Sequence, residues 1–107
     1  MEIYFKSKKL QKTLSREREL KKKYGTMAKV IMSRLDDLRY CQHLGQVFYL
    51  PGNHHPLTGD KHGKMACSLT GNYRLIYGPV EPVFNEQNEL IYESITEIII
   101  YEITDYH

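Results

Sequence analysis

Three stretches of the chain carry residues able to do chemistry. The first is the segment 53–63, which holds His54, His55, Asp60 and His62 between Pro and Gly residues. A metal site is one reading of that group. Yet no pair has the Cys-x-x-Cys or His-x-x-x-His spacing that sets ligands on one regular element, and adjacent histidines on an extended segment point opposite ways. Acid–base chemistry without a metal or other cofactor is the preferred reading. Histidine titrates nearest neutrality, so one ring can take a proton while another gives one. The second stretch is Asp105-Tyr106-His107, directly after an apolar run. His55 and His107 would make an acid–base pair if the loop lies beside the end of that run. The third is Arg74, between Tyr73 and Leu75. Its planar fork suits a phosphate gaining charge in a transition state, with a cross-strand ion pair as the alternative. Lys61 and Lys64 flank the loop and could hold a backbone phosphate. Nine tyrosines and no tryptophan offer stacking partners for bases, though most are expected in core or rim.

These groups need elements to hold them. Ile98, Ile99 and Ile100 are β-branched and contiguous, which predicts a buried strand over about 96–104 with the chemistry at its end. Glu2 to Lys6 alternates and reads as a short first strand. Ser7 can cap a helix whose stripe is Leu10 and Leu14, with Ser15 as a point of interruption or restart. Gly25 is a left-handed stop, and Thr26 can cap a second helix with Met27, Val30, Ile31, Leu35 and Leu38 on one face. A turn that short makes the two helices antiparallel neighbours. Val47 to Leu50 is a short apolar piece closed by Pro51-Gly52. Strands are predicted at 64–69 and 73–77 around the turn Thr70-Gly71-Asn72, with Gly78 and Pro79 ending the second. The segment 80–93 reads as a hairpin or an ordered loop, with four glutamates and no Lys or Arg. The order is that of an α+β domain, a helical hairpin on one face of a mainly antiparallel sheet. The last strand can pair parallel to the first, since hairpins alone would leave the sheet narrow.

The chain's 107 residues suit one domain, 1–107, with a single modest core. No apolar run is long enough to cross a bilayer and the start lacks a signal-peptide core, so a cytoplasmic protein with no membrane attachment is expected. Cys41 and Cys67 sit among apolar residues and read as buried thiols. The net charge of +2 hides an asymmetry. Residues 1–40 carry twelve Lys or Arg against five Asp or Glu, and residues 41–107 carry three against eight. A basic half of this kind fits nucleic acid or an acidic partner, and equally a solvated helical face.

His55-Pro56-Leu57, Gly59-Asp60, Gly63, Gly71-Asn72-Tyr73-Arg74-Leu75 and the terminal Asp105-Tyr106-His107 together resemble the HigB-type toxins (plasmid-maintenance killer proteins) of the RelE/ParE superfamily. The resemblance covers nearly the whole chain and implies a compact RelE-like fold. It implies cleavage of mRNA in the A site of the 70S ribosome, and neutralisation by a HigA-type antitoxin with a helix-turn-helix domain. Residue by residue, it implies catalytic roles for His55, Asp105, Tyr106 and His107 and a phosphate-binding role for Arg74. Two departures stand out. Thr58 follows His-Pro-Leu where many relatives carry Lys, a contact that Lys61 could supply. The 78–95 segment is longer than in the smallest such toxins, and its acidity is expected to keep it projecting away from an RNA groove. A ParE-like toxin of the same fold that binds DNA gyrase without hydrolysis is the alternative, and a decayed toxin kept as an antitoxin partner is a third.

Overall fold

The structure is a computed structural model and describes residues 1–105. Among these, strands β1 (Glu2–Phe5), β2 (His55–Pro56), β3 (Met65–Ser68), β4 (Tyr73–Pro79) and β5 (Glu97–Asp105) form one sheet in the order β1-β5-β4-β3-β2. β5 lies between β1 and β4, which suits its isoleucine run. β1 runs parallel to it, from Glu2 opposite Glu97 to Phe5 opposite Ile100, as the sequence suggested. The other pairings are antiparallel. β4 does not stop before Gly78. Gly78 and Pro79 stay in the ladder opposite Ile99 and Ile98, because the long β5 offers partners that far.

The first helical run is two helices, α1 (Lys8–Ser15) and α2 (Glu17–Tyr24), rather than one. Ser7 caps α1, its hydroxyl accepting from the Leu10 amide at 3.1 Å. Arg16 between them is extended, with φ −117° and ψ 118°. In one straight helix Leu14 and Leu20 would stand about 120° apart around the axis. The break lets both be buried in the core. Gly25 ends α2 at a φ of +58°, a conformation that favours glycine. Thr26 does not cap the next helix. A 3-10 turn, Gly25–Met27, feeds straight into α3 (Ala28–Tyr40), and the Ala28 amide bonds back to Gly25.

α3 buries Ala28, Ile31, Leu35 and Leu38 against one face of the sheet, which supplies Met65, Cys67, Leu75, Tyr77, Ile98 and Ile100. Each such side chain contributes on the order of 1.5–3 kcal/mol by leaving water. Both cysteines are free and buried there, and burial pushes the Cys67 thiol up to about 12. The 44–49 stretch is a 3-10 turn that adds Leu44 and Val47 to this core. Among the described residues, no helix is long and apolar enough to cross a membrane.

Candidate functional site

The pleat and the register sort the sheet into two faces. Met65, Cys67, Leu75 and Tyr77 turn toward the core, so the alternate positions Ala66, Ser68, Arg74 and Ile76 turn away from it. His55 pairs with Ala66 and Arg74 with both Ser68 and Thr104, which puts His55, Arg74 and Thr104 on this open face. Ala66 and Ile76 are buried but stand outside the core cluster, consistent with a face that is covered only by its own side chains.

His55 sits on the edge strand β2, after Gly52 and Asn53, whose φ values of +110° and +50° bend the chain into the sheet. Its Nδ1 lies 2.8 Å from the carbonyl oxygen of Asn53. A carbonyl only accepts, so Nδ1 carries a proton, and in the neutral ring that leaves the lone pair a general base needs on Nε2. Arg74 begins β4 beside the 70–72 turn. Its Nη1 donates to the carbonyls of Tyr73 at 2.9 Å and Gly71 at 3.3 Å, which holds the guanidinium at the hairpin end.

The remaining candidates are placed differently. Asp105 pairs with Tyr73, one step beyond the Arg74–Thr104 pair, so the pleat turns it toward the opposite face from Arg74. Tyr106 and His107 lie outside the described residues. Lys61 belongs to the 3-10 turn Gly59–Lys61. Lys64 lies on the open face. A side chain at Gly78, whose β-carbon would point that way, would meet the Lys64 Cα at 3.3 Å and Cγ at 3.6 Å. The Lys64 ammonium lies 4.1 Å from the ring centroid of Tyr101.

His54 faces the other way from His55, as alternation demands. It is 6% exposed, and its Nδ1 is 2.7 Å from the buried Tyr77 hydroxyl. Burial, helped by the nearby Arg34 charge, lowers its pKa to about 4. His54 is thus a neutral core group. His62 is also engaged, stacked on Phe84 with centroids 5.2 Å apart. Phe84 belongs to a hairpin closed by the Phe84–Leu90 bridge, with the Asn85 Oδ1 accepting from the amides of Gln87 and Glu89. Phe84 of the acidic segment thus touches His62 of the 56–63 loop while residues 80–89 stay exposed, and Leu90 adds to the core. Among the described residues no three His, Cys, Asp or Glu side chains gather as metal ligands would.

Sequence reasoning missed Tyr101 and Glu102 on the open face. Ile76 pairs with Glu102 and Tyr77 with Ile100, so Tyr101 is an inserted residue between two pairs. No spacing in the sequence announces such a bulge. The basic half was legible, and it forms α1 and α2 at the end of the sheet where β1 stops. A groove there is lined by Ser7, Lys9, Thr13, Lys23 and Tyr24 with β5 residues 101–103.

No protein-family profile matches the sequence, and no curated protein matches it. Among solved structures the chain is similar to a YoeB/ParE toxin from Agrobacterium tumefaciens, with a TM-score of 0.61 at 13% identity over 100% of both chains. At that identity the likeness carries the fold alone, a mixed α+β arrangement with helices packed on a five-stranded sheet.

Proposed function

We propose that the protein is the toxin of a type II toxin–antitoxin system and an endoribonuclease of the HigB kind, cutting mRNA in the A site of the 70S ribosome. The observation that carries this reading is His55 in the Nδ1–H form on the same open face as Arg74. In the proposed reaction a histidine removes the proton of a 2′-OH. The 2′-oxygen attacks the adjacent phosphorus, the 5′-oxygen leaves and takes a proton from the second histidine, and the strand ends in a 2′,3′-cyclic phosphate. His55 and His107 are the two histidines, with either order of roles. Arg74 stabilises the charge added to the phosphate. Asp105 faces away from His55 and Arg74, so its role of orienting or charge-stabilising a histidine falls to His107, and Tyr106 positions the nucleotide. Lys61 and Lys64 hold RNA backbone phosphates. The cations of α1 and α2 would add sequence-independent attraction to ribosomal RNA that falls steeply with salt. The protein would act in the cytoplasm and be silenced by a HigA-type helix-turn-helix antitoxin.

The similar solved structure is named a YoeB/ParE toxin, and the ParE half of that name favours a second reading, a toxin that binds DNA gyrase. Induction in cells separates the two. Primer extension on a reporter mRNA is run for the wild type, His55→Ala and His107→Ala beside a gyrase supercoiling assay. Cuts within translated codons that vanish in both variants are expected. Growth arrest with intact mRNA and inhibited gyrase would overturn the nuclease reading.

A further inference from the structure

From the open face we infer that Tyr101 is a base-stacking platform for one unpaired nucleotide, and that Lys64 covers its ring until RNA arrives. This rests on the RNA-directed reading above and adds a subsite to it. Three features converge on the pair. First, Tyr101 is the inserted residue of a β-bulge. Bulges re-aim side chains and are frequent beside active sites. Second, the parallel pairing of β1 ends at Ile100, so the ladder on that side stops one residue before Tyr101. Third, Lys64, the residue just before β3, reaches the ring across Gly78 on β4. Any β-carbon at Gly78 would come within 3.3 Å of the Lys64 Cα and the Gly63 carbonyl oxygen, both backbone atoms that yield poorly. The glycine keeps the path of the lysine stem clear.

The Lys64–Tyr101 contact is a cation on an aromatic face at a half-buried position. The stacking of a base on the same face is at least comparable to such a contact. A base can therefore take the place of the ammonium. The freed ammonium then has a phosphate oxygen to bond, since the stacked nucleotide brings its own phosphates. The exchange needs a splayed, unpaired base, so single-stranded RNA is the ligand class and a duplex is excluded. The subsite shares the open face with His55 and Arg74.

The test uses the full chain and a short 2′-O-methyl oligoribonucleotide, which binds but cannot be cut, beside an abasic analogue of the same length. Binding is followed by fluorescence anisotropy. The wild type should prefer the base-bearing strand roughly tenfold. Tyr101→Phe should keep that preference and Tyr101→Ala should erase it. Lys64→Met should keep the preference while weakening binding of both strands. Equal binding of both strands by the wild type, or an undiminished preference in a folded Tyr101→Ala, would overturn the stacking inference and leave the RNA reading standing. Binding of neither strand, even with ribosomes supplied, would overturn both. A second measurement needs no variant. The Tyr101 ring protons should shift upfield with the base-bearing strand alone, and an unmoved ring at saturation refutes the platform.

Discussion

His54 and His55 are neighbours in sequence and share almost nothing in structure. His54 enters the covered side of the sheet, bonds Tyr77 and is held neutral by burial. His55 stands on the open side with its Nδ1 proton committed to Asn53. The same division runs through the sheet. On the covered face the side chains stabilise by being packed, and on the open face Arg74 is held by backbone carbonyls and Lys64 and Tyr101 by each other. A β-strand thus sorts packed from unpacked side chains at single-residue resolution, because its side-chain period is two.

That comparison can be broken by substitution, and the largest effect is expected on the open face. His55→Ala should lower mRNA cleavage by about 10²–10⁴-fold, the usual worth of a general acid or base, in a single-turnover assay on programmed ribosomes. Its urea midpoint should stay close to that of the wild type, since the lost ring is not part of the core. A large loss of stability together with activity would erase the proposed division. The covered face should behave inversely. Ile98 is fully buried, and Ile98→Ala should cost about 2–5 kcal/mol of unfolding free energy in urea titration. Cleavage per folded molecule should be retained.

The next effect sharpens the contrast between the two histidines. The folded pKa of His54, about 4, lies below its ordinary 6.5, so the native state resists a proton that the unfolded chain accepts. Its neutral-state stability is fully present above pH 6.5 and is lost as pH falls toward 4. At pH 5 the loss is on the order of 2 kcal/mol. His54→Phe should flatten the stability–pH curve between pH 4 and 6.5 in chemical denaturation. The smallest effect belongs to the helices. Ser7→Ala removes the cap on α1 and should cost about 1 kcal/mol, read as a modest fall in melting temperature.

Local chemistry was legible wherever one residue suffices. Ser7 as a cap, Gly25 as a stop and the isoleucine strand all stand where their types demand. The opposite facing of His54 and His55 also followed from alternation alone. What failed were features decided by a distant partner. Thr26 gives up its capping role to a 3-10 turn. Gly78 and Pro79 stay in β4 because β5 runs beside them.

By itself the sequence determined the α+β order and most element types, and it allowed the parallel return of β5 to β1. These follow from side-chain chemistry and short-range periodicity, which the chain carries locally. Only the tertiary structure decided which groups share a face. Register and the Tyr101 bulge set that choice, and both are fixed by hydrogen bonds between strands far apart in the chain, where a one-residue slip moves every side chain to the other side.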